Sequence, residues 1–159
     1  MKTLLFACVL VCTLSFAVAH HEDRDIAAVK NTTKVFFTLF EMDCKAWSNL
    51  FEVDGAFYHP LAGAVVGRKS LVDFCLSAQK AKGPNLFRQD GHIRVTKADG
   101  QYHVLVEYVY STVKDNGKVF TNSGYESMIF KVAGGKAAIK AVTEFFNRSQ
   151  EPYEWDPNA

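Results

Sequence analysis

Hydrophobic and polar positions alternate along this chain with two different periods, and the change from one to the other divides it. From Ile26 to Glu41 the period is helical. Ile26, Val29, Thr33, Phe36, Phe37 and Phe40 form one stripe, and Asn31, Lys34, Thr38 and Glu41 the opposite one. Asp43 then caps a short helix on which Trp47, Leu50 and Phe51 share a face. Asp54-Gly55 ends that helix, Ala56 to His59 makes a short strand stopped by Pro60, and a turn at Gly63 leads to Val65-Val66. Gly67 opens a further helix from about Lys69 to Ala81, with Leu71, Cys75 and Ala78 inward and Lys82-Gly83-Pro84 as its stop.

Beyond Pro84 the period is 2. Strands are predicted over Phe87–Lys97, Tyr102–Val113, Val119–Val132 and Lys136–Phe146, joined at Ala98-Asp99-Gly100, Asp115-Asn116-Gly117 and Gly134-Gly135. The second carries Tyr102, Val104, Val106, Tyr108 and Tyr110 on one face. The third sets Phe120, Asn122, Gly124, Glu126, Met128 and Phe130 against Thr121, Ser123, Tyr125, Ser127 and Ile129. The last is predicted to turn Ile139, Ala141, Thr143 and Phe145 one way. Helices first and long strands afterwards predict an α+β domain, a curved antiparallel sheet with the N-terminal helices on its concave side.

The opening residues change the setting. Lys2, an apolar run from Leu4 to Phe16 and Ala17-Val18-Ala19 form a secretory signal peptide over residues 1–19, too short to span a bilayer. Cleavage after Ala19 takes 19 of the 159 residues and leaves 140, enough for one domain. Residues 20–25 are expected to be a mobile N-terminus, 26–148 the domain and 149–159 a C-terminal tail. Only Lys2 is lost among the charged residues, so 18 basic against 17 acidic residues become 17 of each. That balance argues against nucleic acid and anionic membrane surfaces as partners. Two cysteines leave with the signal, and Cys44 and Cys75 either pair in an oxidising compartment or remain as a free thiol and a buried apolar residue. Asn31-Thr32-Thr33 and Asn147-Arg148-Ser149 are candidate glycosylation sequons.

The segment Asp43–Phe74 has an order that resembles the nuclear-transport-factor-2-like superfamily, including SnoaL-like proteins, steroid delta-isomerases and scytalone dehydratases. The resemblance rests on Trp47, Leu50, Phe51, Asp54, His59, Pro60, Gly67, Leu71 and Phe74, with Gly124-Tyr125-Glu126 and Gly135-Lys136 to Ile139 looking like the family's last two strands. It implies a cone with one apolar pocket. It also implies roles. His59 falls where the isomerases carry a catalytic Asp, and a neutral imidazole can act as a general base near neutral pH. Glu126 falls near a buried acid that donates to the substrate oxyanion, and its apolar surroundings would raise its pKa. The isomerases' oxyanion-hole tyrosine corresponds to Val35, which cannot donate. Asp43-Cys-Lys-Ala-Trp47 looks like a stretch of the scytalone dehydratases, but His92 and His103 alternate outward, so Asp43 reads better as a cap.

The expected pocket lining is Phe36, Phe40, Tyr108, Tyr110, Asn122, Met128 and Phe130, with His59 and Glu126 as candidate catalytic groups. No cofactor or metal is expected: the chain shows no zinc-spaced cluster, phosphate loop or serine-nucleophile motif. Three functions follow. The first is a secreted binding protein for a small apolar or carbonyl-containing molecule. The second is an isomerase- or dehydratase-type enzyme with His59 as general base. The third is a module that dimerises through the outer sheet face, with Tyr125 and Ile129 in the interface.

Overall fold

The computed structural model describes the backbone of residues 2–82, 86–113 and 119–146, and the side chains of residues 21–80, 91–109 and 123–146. Three helices, α1 (Lys2–Met42), α2 (Cys44–Ser48) and α3 (Arg68–Lys82), lie against a six-stranded sheet. The strands are β1 (Phe51–His59), β2 (Gly63–Val66), β3 (Leu86–Ala98), β4 (Gln101–Val113), β5 (Val119–Ala133) and β6 (Lys136–Phe146), in the spatial order β2-β1-β6-β5-β4-β3. The architecture is α+β, as the change of period predicts. The sheet is antiparallel except at one junction, where β1 runs parallel to β6. The chain reaches β1 straight from the helices and returns to its side only through the last strand, so that pair alone is free to run the same way.

The inner face of the sheet and the three helices share one core. Val29, Phe36 and Phe37 of α1, Trp47 of α2, and Leu71, Phe74 and Cys75 of α3 close over Phe57, Val104, Val106, Met128, Phe130, Ile139 and Val142. Trp47 is its centre, with ring centroids of Phe36, Phe40, Phe51 and Phe57 between 5.0 and 5.9 Å away. Full burial of side chains this size contributes roughly 1.5–3 kcal/mol each.

Local chemistry fixes the helix ends. Asp43 accepts from the Ala46 N–H at 2.9 Å and caps α2. Leu50 and Phe51, expected on that helix, instead form the turn and the first residue of β1. Leu50 O accepts from Ile139 N–H at 2.8 Å, and this pairing draws the chain into the sheet early. Gln79 of α3 donates to Phe40 O at 2.7 Å, satisfying a carbonyl at the end of α1. Cys44 and Cys75 are joined in a disulfide that ties α2 to α3. Gly67, at φ +80, makes the left-handed turn before α3.

Residues 21–25, expected to be mobile, belong to α1. Asp25 is buried and accepts from the Tyr102 hydroxyl at 3.1 Å, and Lys97 stands 3.9 Å from Glu22. These side chains pin the helix to β3 and β4. Farther along, Thr33 is fully buried and donates to Val29 O at 2.9 Å, while Asn31, two residues before it, is exposed. Asn147 and the tail 149–159 lie outside the described residues.

The last strand corrects the sequence reading. Phe130 pairs with Ile139 and Ile129 with Ala141, leaving Lys140 as an extra residue. This bulge reverses the alternation beyond it. Ile139 faces the core, as expected, but Val142, Glu144 and Phe146 then take the inner face. Ala141, Thr143 and Phe145 face outward, and Phe145 stacks on Tyr125 at 4.8 Å.

Candidate functional site

The shifted phase of β6 brings a carboxylate to the inner face that the simple alternation hides. The parallel register between β1 and β6 pairs Phe57 with Val142 and Tyr58 with Thr143. One residue further on, His59 comes beside Glu144. Their side chains meet with His59 Nε2 at 3.5 Å from Glu144 Oε2, and they are 13% and 15% exposed, so both remain within reach of solvent. From the other side, β5 sets Glu126 directly across from Glu144, and β4 sets Tyr108 across from Gly124. Tyr108 passes over that glycine and donates its hydroxyl to Glu144 Oε1 at 2.7 Å. Side chains from β1, β4 and β5 thus converge on one carboxylate of β6.

The other ring nitrogen of His59 decides what the histidine offers. After Pro60 the chain turns back, and the N–H groups of Leu61 and Ala62 both donate to His59 Nδ1, at 3.2 and 3.1 Å. A nitrogen that accepts two N–H bonds carries no proton, which assigns the proton to Nε2. His59 is therefore a neutral imidazole whose N–H faces Glu144 and whose lone pair is held by its own turn. Around it stand aromatic rings: Phe74 at 5.3 Å, Phe146 at 6.0 Å and Phe57 at 6.2 Å. The result is a carboxylate acceptor, an imidazole donor and a phenol, set at the edge of an apolar core. Glu126 is buried beside them.

The sequence-predicted lining divides in two. Tyr108, His59 and Glu126 come together at Glu144. Phe36, Met128 and Phe130 are sealed in the core at 2% exposure or less, and Phe40 is half-buried against Trp47 and Phe74. The side chains of Tyr110 and Asn122 lie outside the described ones. His92 and His103 are on the outer side, and Val35 is half-buried on α1. Glu144 was missed. The signal for it is the spacing of Ile139 and Val142: two large β-branched residues three apart cannot both face the core in a regular strand. Among the described residues, no three His, Cys, Asp or Glu side chains are grouped to hold a metal ion, and no helix is long and apolar enough to cross a membrane.

No family model matches the chain, and no curated protein matches it. Solved structures do. A protein from Novosphingobium aromaticivorans, described as NTF2-like with a cystatin-like fold, superposes with a TM-score of 0.70 at 15% identity, over 81% of this chain and 86% of its own. The fold is NTF2-like. An NTF2-like superfamily protein from Salmonella enterica serovar Typhimurium gives 0.65 at 14% identity, over 79% of this chain and 92% of its own. ActVI-ORFA from Streptomyces coelicolor gives 0.67 at 16% identity, over 77% and 98%. These likenesses establish the NTF2-like architecture suggested by the segment from Asp43 to Phe74. The site within it is this chain's own, since NTF2-like proteins this distant share the frame without fixing its residues.

Proposed function

We propose that this chain is a secreted small-molecule binding protein whose site is the end of the NTF2-like core occupied by His59, Tyr108, Glu126 and Glu144. The observation that carries this reading is the Glu144 carboxylate. It is held at 2.7 Å by Tyr108, faces His59, keeps some exposure, and lies beside an imidazole flanked by the rings of Phe74 and Phe146. A few convergent polar groups against an apolar wall are what a small-molecule site requires. Secretion is supported by the leader-like residues 1–19 and by the disulfide between Cys44 and Cys75. Native mass spectrometry of the protein recovered from its own source tests both points. The expected result is a chain starting at His20 with an apolar ligand retained. An intact leader would overturn secretion. An empty protein that takes up no apolar probe would overturn the binding role.

A second reading, an isomerase- or dehydratase-type enzyme, draws on the same cluster with its roles redistributed. The capped Nδ1 and protonated Nε2 suit His59 to donating, so the proton acceptor of such a reaction is Glu144, with Glu126 and Tyr108 beside it. His59→Ala separates the two roles. An enzyme loses turnover with ligand affinity kept within about tenfold, whereas a carrier changes in affinity alone.

We also infer self-association through the outer sheet face. Its support is the exposed Tyr125–Phe145 stack, continued by Ile129 on the same face of β5.

A further inference from the structure

The two edges of the sheet are unlike. β3 is bulged between Asp90 and Ile93 and carries Arg94 and Lys97, features that keep a further strand from pairing. β2, at the other edge, has β1 as its only neighbour among the described residues. Gly67 N–H donates to Gly55 O at 3.0 Å, which fixes the alternation: Gly63 and Val65 bond to β1, and Ala64 and Val66 turn their N–H and C=O groups away from it. No charge or proline guards that side, since Leu61 to Gly67 reads Leu-Ala-Gly-Ala-Val-Val-Gly. Val66 and Tyr58, 52% and 46% exposed, lie beside it on the outer face, while Val65 packs inward on the core. Arg68 and Lys69 open α3 immediately afterwards. Lys69 reaches Asp73 at 2.7 Å, but the first turn of α3 holds no acidic residue to answer the helix dipole.

So short an edge is a poor seat for a separate molecule, because specific contacts between proteins bury on the order of 1,000 Å² or more. A segment of the same chain needs far less, since its tether replaces the encounter. One such segment is within reach. β6 runs parallel to β1 and ends at Phe146, past His59, at the end of the sheet where β2 begins. A chain turning back there runs the same way as β2. From β6 to a strand beyond β2 is three strand spacings, about 14–15 Å. Asn147 to Pro152, extended, reach about 20 Å. Tyr153-Glu154-Trp155-Asp156 follows, outside the described residues, and alternates with period 2. We propose that Tyr153–Asp156 pairs with the free edge of β2, parallel to it, setting Tyr153 and Trp155 beside Tyr58 and Val66, and Glu154 and Asp156 toward Arg68, Lys69 and the N-terminus of α3. Pro152 and Pro157 bound the added strand, and the C-terminal segment closes this edge to other chains.

Amide hydrogen exchange of the full chain, followed by NMR beside a chain ended after Gln150, tests this pairing. The N–H groups of Ala64 and Val66 should exchange about tenfold or more slowly in the full chain than in the shortened one. Val65, bonded to β1, should exchange at the same rate in both. The Trp155 ring should show nuclear Overhauser contacts with the Val66 methyl groups, and Tyr153→Asp with Trp155→Asp should speed the Ala64 and Val66 amides as the shortening does. Equal exchange of these two amides in both chains, or an equal loss of protection at Val65, would overturn the docked segment. Protection that survives the shortening and vanishes on dilution would place a second copy of the chain on the edge and overturn it as well.

Discussion

A β-carbon on Gly124 would strike the carbonyl oxygen of Phe145 and stand 2.7 Å from the Tyr108 hydroxyl. The glycine is thus required for space, because Tyr108 crosses β5 at that point to reach Glu144. Gly124→Ala is expected to cost about 1–3 kcal/mol by overpacking. It should also detach the phenol from Glu144, seen as a lowered denaturation midpoint and a changed tyrosine ultraviolet spectrum. A stable variant with an unchanged spectrum would show that Tyr108 does not need the glycine. At the opposite end, Tyr102 supports a prediction about pH. Burial pushes its phenol above the ordinary tyrosine value of 10.0; the hydrogen bond with Lys97 pulls the other way, and the one to Asp25 pushes up again. The folded chain then keeps this proton at pH values where the unfolded chain has lost it. The stabilisation is fully present below about pH 10 and falls as pH rises through the folded value. Urea midpoints measured from pH 8 to 11.5 should decline more steeply in the wild type than in Tyr102→Phe, and parallel curves would refute the assignment.

Elements were legible where one period ran unbroken, and misread where a single residue interrupted it. The stripes on α1 and α3 face the core, with Ile26 and Phe40 half-buried at its edge, and the inward row Tyr102, Val104, Val106, Tyr108 on β4 is buried as the pattern predicts. Strand β6 is not so simple, because Lys140 adds a residue that pairing with β5 must bulge out, and every side chain beyond it changes face. Pattern alone cannot place such a bulge, since Ala141-Val142-Thr143-Glu144-Phe145-Phe146 alternates acceptably in either phase. The candidate site suffered most, as its central carboxylate lies just past the bulge. Deleting Lys140 should therefore leave Ile139, Val142 and Glu144 on the inner face in regular alternation, whereas deleting Thr143, past the bulge, forces Val142 or Glu144 off it, a loss on the order of 2 kcal/mol when the valine leaves. Chemical denaturation of the two deletion variants checks this, and a Lys140 deletion as costly as the Thr143 deletion would count against the bulge. The disulfide was open in the sequence because two cysteines on neighbouring helices give no geometry. It closes a separation of 31 residues. Replacing both cysteines by alanine should cost roughly 3–4 kcal/mol in the chain-entropy model.

At the scale of the whole molecule, the helices cover the inner face of the sheet and, among the described residues, leave the outer face open. Tyr125 at 44% and Phe145 at 41% exposure stack there. Sedimentation of wild-type protein should show a dimer that Tyr125→Glu with Ile129→Glu reduces to monomers while ligand uptake is kept; a monomeric wild type would overturn the self-association. One consequence concerns biosynthesis. The acceptor triplet Asn31-Thr32-Thr33 needs both its asparagine amide and its threonine hydroxyl, yet folding leaves the first exposed and buries the second against Val29 O within a helical turn. If a sugar chain is carried at Asn31, it must be attached while the nascent chain is still extended. Docking of α1 acts as a clock that closes the substrate to the transferase. Chains allowed to fold before meeting the glycosylation machinery should stay unmodified at Asn31, and slowing the folding of α1 should raise the fraction that carries the glycan.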